Sequence, residues 1–504
     1  MKNSIKSLLL GLLTMSLASC GAGGGYANLK GGDGGNNYYP PGGEQHNYET
    51  PTGAPSAAPM MGGDTGIEII ENPYVEVNEE SNKSNVSLTS TSFAYTTVRE
   101  AINSRRVYSL QQMVRTEEML NYFSYGYEND TDDALTTHLE LATCPWNNEH
   151  QLASVVVKAK PAITENVKNN IVILVDKSGS MSGIFNLVKT SLKTLINNLG
   201  DEDIVSIVSY ASGSKVEIEG KNGKDKQALL NVVDDLKASG STWGEGGIEL
   251  AYQTAYKYAI PGGNNRVVLL TDGDFNVGKV SGEELTKLIK QKANDGVYLT
   301  CVGYRSYDNG TLYTLSNNGN GNAYYVDGEL EAKKVFEEEL GKSMYVVAKD
   351  AKCQVEFSDA VASYRLLGYE TRQMSDDEFN DTKKDAGEIM SDHTTIALYE
   401  LALKEEYEND YIFKTTLRYK LPETEENMEV VNAKTNIEVT NNDDYNFASY
   451  VAEYALVLAD SKFKGSASYE HLLERISSES INDKYRDDFV SLVRKTKSIT
   501  KPNE

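Results

Sequence analysis

The sequence has few of the residues that build soft-metal and redox sites. It contains four cysteines and five histidines in 504 residues. No two cysteines form a CxxC pair and no histidines form an HExxH motif, which leaves zinc ribbons, dithiol redox centres and zinc proteases without support. A GxSxG nucleophile motif is absent as well. The sequence therefore does not indicate an enzyme of these classes.

Positive charge is also scarce. The chain has 74 acidic and 49 basic residues, which gives a formal net charge of −25. A chain with this charge does not attract nucleic acid through a general field and is repelled by anionic lipid. Long hydrophobic runs are missing after the N-terminus, so no later segment is expected to span a membrane.

Residues 1–20 have the pattern of a bacterial export signal. Lys2 and Lys6 precede an apolar run over 8–17 that is too short for a stable membrane span. The run ends in LASC, which resembles the lipobox of bacterial lipoproteins and makes Cys20 the expected lipidation site. An ordinary secretory signal with a chance cysteine is the alternative. Several acyl chains on Cys20 would anchor the protein at a membrane of the cell envelope, on its periplasmic or surface side.

The segment 21–85 is rich in Gly, Pro, Asn and Ala and shows no apolar periodicity. This composition predicts a flexible linker. Its glycines are neither preceded by a strand pattern nor followed by GK[ST], so they do not indicate a phosphate-binding loop. The linker would let the folded part of the chain stand away from the lipid.

The remaining cysteines lie in strand-like segments. Cys301, in VYLTCVGY, is expected to be a small buried side chain. Cys144 and Cys353 lie in alternating segments far apart in the chain and could form a disulfide in an oxidising envelope. The sequence does not establish the geometry that a disulfide requires, so free thiols stay open as the alternative.

The middle of the chain alternates strand and helix patterns. The run IVILV at 171–175 is typical of a central parallel strand that is covered on both faces. Strand and helix patterns then alternate to the end of a segment that we place at 166–347, which predicts a doubly wound, Rossmann-like α/β domain.

The two flanking regions have a different pattern. Residues 86–165 read as helices, including one over 109–125, followed by strands, and residues 348–504 read as strands followed by helices. Neither region has enough strands for a comfortable pair of sheets. We therefore predict that they join into one β-sandwich, with the α/β domain inserted between them and helices at the C-terminus.

Oxygen-bearing side chains follow the strand patterns of the α/β segment. Asp176, Ser178 and Ser180 come directly after IVILV, Thr242 lies in a loop before a helix, and Asp272 follows the strand RVVLL. Because ligand crevices of such sheets lie beyond the carboxyl ends of the strands, these residues are expected to converge there. Hard oxygens suit Mg²⁺, Mn²⁺ or Ca²⁺. Helix capping and turn formation by Ser and Asp are the simpler explanation of each motif taken alone.

Three motifs together carry a family resemblance. They are DKSGSMSG at 176–183, GSTWGEGGIELAY at 240–252 and VVLLTDGDFN at 267–276. As a set they resemble the metal-ion-dependent adhesion site of von Willebrand factor type A domains. The resemblance implies that two serines and the threonine bind the metal directly, and that the two aspartates bind it directly or through water. In the flanks, RTEEMLNYF, LLGYETR and HTTIALYEL resemble bacterial lipoproteins of the YfbK type, a family whose function is obscure.

The leading hypothesis is a membrane-tethered, metal-dependent protein-binding module for adhesion or scaffolding. A partner Asp or Glu would complete the metal shell, and loops at 181–185, 212–224, 241–247 and 274–280 would supply shape. A metal that only stabilises a structural or assembly factor of the envelope is the alternative. A metal-assisted hydrolase is less favoured, because no histidine base and no second acidic cluster accompany the motifs.

Overall fold

The computed structural model describes residues 71–162, 167–242, 244–273, 282–304, 309–342, 345–406, 411–434, 442–477 and 483–500. The predicted leader 1–20 with Cys20, most of the predicted linker and the predicted loop 274–280 lie outside these residues. Within them, no helix is both long enough and apolar enough to cross a bilayer.

The described strands and helices follow the chain in this order. The strands are β1 Val75–Glu76, β2 Lys83–Ser87, β3 Leu135–Thr143, β4 Gln151–Ala159, β5 Asn169–Asp176, β6 Ile204–Tyr210, β7 Ser214–Asn222, β8 Asn264–Thr271, β9 Val297–Gly303, β10 Ala323–Tyr325, β11 Val346–Phe357, β12 Val361–Leu367, β13 Gly387–Met390, β14 Thr394–Leu403, β15 Phe413–Lys420 and β16 Asn427–Lys434. The α-helices are α1 Phe93–Asn103, α2 Leu110–Met113, α3 Thr116–Asn121, α4 Phe185–Asn198, α5 Lys226–Asp235, α6 Gly244–Lys257, α7 Gly282–Asn294, α8 Asn309–Asn318, α9 Glu329–Lys333, α10 Asp376–Asn380, α11 Asp443–Leu458, α12 Tyr469–Ser477 and α13 Lys484–Thr500.

The α/β domain is built on a sheet with strand order β10-β9-β8-β5-β6-β7. All neighbours in this sheet are parallel except β7, which pairs antiparallel with β6. Apolar side chains of the central strands point to both faces, where α4, α5 and α9 cover one side and α6, α7 and α8 cover the other. The predicted doubly wound fold is therefore confirmed, with β5 at its centre.

The strands before and after the α/β domain share two sheets. One has the order β1-β12-β14-β4-β3, and the other has the order β13-β11-β15-β16 with β2 paired to β11. Strand β14 pairs with β4 over 394–401 and 151–158, so chain segments separated by the whole α/β domain lie side by side. Both sheets contribute to one apolar core, which includes Val155, Val355 and Tyr399. The predicted sandwich with an inserted domain is confirmed.

The outer face of the first sheet is covered by helices from both ends of the chain. Helices α1, α3, α11, α12 and α13 form a second apolar core against side chains such as Val156 and Ile396. The aromatic stripes of the two long C-terminal helices, including Phe447 and Phe489, meet there at 5.4 Å between ring centroids. The N-terminal and C-terminal regions are thus one folded unit.

Several boundaries differ from those predicted. Strand β1 lies inside 21–85 and β2 begins there, so the folded unit begins earlier than the predicted linker ends. The helix predicted over 109–125 breaks because Val114 and Arg115 are extended. The loop predicted at 212–224 is mostly β7, which uses the free edge of β6. The residues at 244–247 already belong to α6.

The possible disulfide between Cys144 and Cys353 is not formed. The described cysteines Cys144, Cys301 and Cys353 are buried free thiols. Cys144 lies in the core beneath the helices, whereas Cys353 lies in the core between the two sheets, so a layer of sheet separates them. Burial raises the pKa of the Cys353 thiol to about 12, which keeps it protonated and unreactive.

Candidate metal centre

The first predicted motif lies at the carboxyl end of the central strand. Asp176 is the last residue of β5 and is fully buried. Its Oδ1 accepts a hydrogen bond from the backbone amide of Ser178 at 2.8 Å. This bond turns the chain sharply into a short 3₁₀ helix over Gly179–Gly183, which places Ser178 and Ser180 above the strand end.

Two residues that the motif analysis did not single out fix the other oxygen of Asp176. The hydroxyl of Tyr210 donates to Oδ2 at 3.0 Å, and the hydroxyl of Thr271 donates to the same atom at 3.3 Å. They end β6 and β8, the strands on either side of β5. The sequence signal that could have identified them was their position, since each is the polar residue that ends an apolar strand.

The hydroxyl oxygens of Ser178 and Ser180 lie 3.0 Å apart. Ser178 is buried and Ser180 is exposed, so one hydroxyl lies inside the crevice and the other at its mouth. Adjacent ligands of an octahedral ion with bonds of about 2.1 Å are separated by about 3.0 Å. The spacing of these two hydroxyls therefore suits neighbouring positions on Mg²⁺, as well as a mutual hydrogen bond.

The loop that carries Thr242 is bound to the first motif through its backbone. The amide of Ser239 donates to the carbonyl of Lys177 at 2.6 Å, and the amide of Gly179 donates to the carbonyl of Gly240 at 2.9 Å. Gly240 has a φ of +92°, and a Cβ there would meet the Ser212 hydroxyl at 2.6 Å. Glycine at 240 thus lets the loop approach, and Thr242, which is half-buried, follows two residues later.

Asp272 follows β8 and is also buried. Burial raises the pKa of Asp176, the hydrogen bonds from Ser178 and Tyr210 lower it, and the negative charge of Asp272 raises it again. Burial and the Asp176 charge raise the pKa of Tyr210 well above its usual range, so its hydroxyl remains a donor. The two carboxylates therefore repel each other in a buried crevice. A bound cation would reduce this repulsion.

The donor set fits a hard divalent cation. It consists of two buried carboxylates and hydroxyls at one sheet edge, all oxygen ligands of the kind that Mg²⁺ and Ca²⁺ prefer. Within the described ranges, no three His, Cys, Asp or Glu side chains cluster as a metal site. A metal centre here would accordingly depend on the hydroxyls of Ser178, Ser180 and Thr242 as much as on carboxylates.

Comparison with known families agrees with this architecture. The model of the von Willebrand factor type A domain matches residues 170–338, and a model described as von Willebrand factor matches 64–154. The inserted α/β domain is therefore a von Willebrand factor type A domain. A further model, the C-terminal region of the uncharacterized protein YfbK, matches 342–499.

A relative that matches most of the chain shows the family. The uncharacterized protein YfbK of Escherichia coli (strain K12) is 32% identical over 448 residues, which cover 81% of this chain and 76% of the relative. The chain belongs to the YfbK family. A mouse voltage-dependent calcium channel subunit, alpha-2/delta-2, is 26% identical over 243 residues, but these cover only 20% of that protein. A solved von Willebrand factor type A protein from Catenulispora acidiphila is 16% identical, covers 73% of this chain and 92% of its own, and has a TM-score of 0.37.

Proposed function

We propose that this protein is a metal-dependent protein-binding module, anchored to a bacterial envelope membrane through lipid on Cys20. The observation that carries the proposal is the convergence of the Ser178 and Ser180 hydroxyls, 3.0 Å apart, above the buried Asp176. Proteins with von Willebrand factor type A domains are often metal-dependent interaction modules, and this chain has such a domain.

The hydrogen bonds of Asp176 explain how the metal would keep its positive charge. Oδ1 already accepts one amide and Oδ2 already accepts two hydroxyls. We therefore assign Asp176 to contact Mg²⁺ through water, while the neutral hydroxyls of Ser178, Ser180 and Thr242 contact it directly. An ion with mainly neutral ligands remains strongly electrophilic, and the Asp or Glu of a partner protein is its natural further ligand.

Binding is favoured over hydrolysis by the residues of the domain. The segment 166–347 contains no histidine, so no imidazole base can lie within the domain that carries the site. The buried tyrosine beside the site is held protonated and cannot serve as a base at ordinary pH. Capture of a carboxylate requires no proton transfer, which matches the groups present.

A second candidate function is a metal that stabilises the fold of an envelope structural or assembly factor. The observation in its favour is the mutual effect of the buried Asp176 and Asp272 carboxylates, which raises the pKa of Asp176 beyond the effect of burial and hydrogen bonds. A cation would remove this repulsion and stabilise the native state even if no partner were bound.

The decisive test compares metal uptake with partner capture. Calorimetric titration with Mg²⁺, Mn²⁺ and Ca²⁺ should show uptake by the wild type and none by Asp176→Ala. Ser180→Ala removes one exposed hydroxyl and should weaken uptake without disturbing the core. Asp201→Ala is the matched control, because this exposed aspartate precedes β6 at the opposite end of the sheet.

Partner capture then separates the two candidate functions. Purified wild type should retain envelope proteins in Mg²⁺ and release them on chelation, whereas Asp176→Ala should retain none. Capture that is unchanged by chelator, together with a large fall in melting temperature, would favour the stabilising role. Equal metal uptake by wild type, Asp176→Ala and Ser180→Ala would refute both.

A further inference from the structure

A small cavity lined by oxygen-bearing side chains lies between the α/β domain and the β-sandwich. It has a volume of about 20 Å³ and is lined by the loop 89–91, by α8, by the turn before β10 and by β13. A volume of this size accommodates roughly one water-sized species. The cavity is remote in sequence from the motifs at 176–183 and 240–252, and it shares no lining residue with them.

One carboxylate oxygen at this cavity has no protein partner. Glu388 lines the cavity, and its Oε2 is buried without a hydrogen bond from the described residues. A buried carboxylate oxygen without a partner is costly, because the charge loses water and gains nothing in return. A proton, a water molecule or a cation must therefore compensate this oxygen.

Three of the polar side chains that line the cavity donate a hydrogen bond to a group other than Glu388 Oε2. The Ser90 hydroxyl donates to the carbonyl of Glu388 at 3.2 Å, and the Ser316 hydroxyl donates to the carbonyl of Tyr313 at 3.0 Å. The side-chain amide of Asn322 donates to the Tyr324 hydroxyl at 3.3 Å. The side-chain oxygens of Ser90, Ser316 and Asn322 therefore remain available as acceptors.

A water molecule has two protons and would face more acceptors than it can satisfy, whereas a cation is coordinated by acceptors alone. The geometry points to a cation-binding site in which Glu388 supplies the charge and Ser90, Ser316 and Asn322 supply neutral oxygens. The lining contains one carboxylate, and the positive charges of Lys349 and Arg266 already act on it, so the site has room for at most one further positive charge. We therefore assign it to a monovalent cation such as Na⁺. The ion would join α8 of the α/β domain to β13 of the sandwich.

Protons compete with the cation for the carboxylate. Burial raises the pKa of Glu388 to about 7, with Lys349 and Arg266 lowering it and Asp385 and Asp350 raising it. Below this pH the protonated carboxyl needs no cation, and above it the carboxylate does. Stabilisation by the cation is accordingly expected to grow as the pH rises through about 7.

The test is melting temperature in NaCl against choline chloride at equal ionic strength, in an Asp176→Ala background that removes the first metal site. We expect Na⁺ to raise the melting temperature by roughly 2 °C at about tenfold excess over its dissociation constant, at about pH 8 but not at about pH 6. Glu388→Gln, which keeps the shape and removes the charge, should abolish the shift. Ser90→Ala, at a half-buried position, should move it to higher Na⁺ concentrations and guards against a poorly folded Glu388→Gln.

Two results would overturn the site. One is an equal melting temperature in NaCl and choline chloride at about pH 8, which would mean that water or a proton alone fills the cavity. The other is a Na⁺ shift that persists unchanged in both Glu388→Gln and Ser90→Ala. Because Asp176 is already replaced in every protein compared, neither result depends on the proposed adhesion-type site.

Discussion

Arg99 on α1 connects three parts of the chain that are far apart in sequence. Its guanidinium contacts Asp327 at 2.6 Å, Glu331 at 2.7 Å and Asp488 at 3.1 Å. The side chains of Arg99, Asp327 and Glu331 are each about 5% exposed or less, whereas Asp488 is 33% exposed. The α/β domain and the C-terminal helix α13 are thereby joined to the N-terminal flank through one buried cation.

We predict that Arg99→Met destabilises the native state by about 3–5 kcal/mol, the range found when one partner of a buried ion pair is removed. The cost arises because two nearly inaccessible carboxylates lose their countercharge, while the third is partly solvated and contributes less. Arg99→Lys is expected to recover only part of the loss, since a single ammonium cannot reproduce a planar fork that donates to three carboxylates.

The pH dependence sharpens this prediction. Burial raises the pKa of Asp327, and Arg99 lowers it. Without Arg99 the pKa of Asp327 rises further, so in the variant this carboxyl is neutral over a wider range of acid pH. The deficit of Arg99→Met should therefore be largest at neutral pH and above, and should shrink as the pH falls and protons replace the missing cation.

The assay is urea unfolding at neutral and acid pH, with Arg106→Met as the matched control. Arg106 lies just after the same helix, pairs with Glu100 and is 43% exposed, so its loss should cost about 0–1 kcal/mol. If Arg99→Met unfolds at the same urea concentration as Arg106→Met, the buried network does not hold the domains together and the reasoning is refuted.

Three further predictions follow from single observations. Burial and the charge of Glu117 raise the pKa of Glu370 to about 7. Since this folded pKa exceeds the unfolded value, the stability that the protonated carboxyl supports is lost as the pH rises through about 7. Glu370→Gln should therefore have a higher melting temperature than the wild type at about pH 8 but not at about pH 5. Cys20→Ser should move the protein from the membrane fraction to the supernatant, and unchanged partitioning would exclude lipid at that residue. Because Cys144 and Cys353 are free, a reducing agent should leave the melting temperature and the electrophoretic mobility unchanged, and a shift in either would contradict the structure.

The α/β domain is the part that local patterns predicted best. Its central strands are continuous apolar runs, so β5, at Asn169–Asp176, extends at most two residues beyond the predicted run 171–175. The placement of Asp176 and Asp272 at one sheet edge was also predictable, because side chains that follow parallel strands reach the same edge whatever the rest of the chain does. Whether they bind metal stays a prediction.

Contacts between residues that are far apart in the sequence could not be predicted from local patterns. The helix predicted over 109–125 breaks at Val114 and Arg115, directly before α3, whose Glu117 and Glu118 accept the amides of Tyr369 and Ala94 at 3.0 Å each. The local periodicity around Glu117 does not indicate a partner such as Tyr369, which is 252 residues away. The support of Asp176 by Tyr210 and Thr271 was missed for the same reason, since each lies on a different strand.

The sequence by itself determined the alternation of strands and helices, the oxygen-rich motifs and the insertion of one domain into another, because these depend on periodicity and on side-chain chemistry that neighbours in the chain share. Only the tertiary structure decided that Cys144 and Cys353 lie in separate cores, that Arg99 meets three acids, and that Glu388 lines a cavity. These outcomes depend on which distant surfaces pack together. A buried charge or thiol acquires its partner, or lacks one, only when that packing is complete.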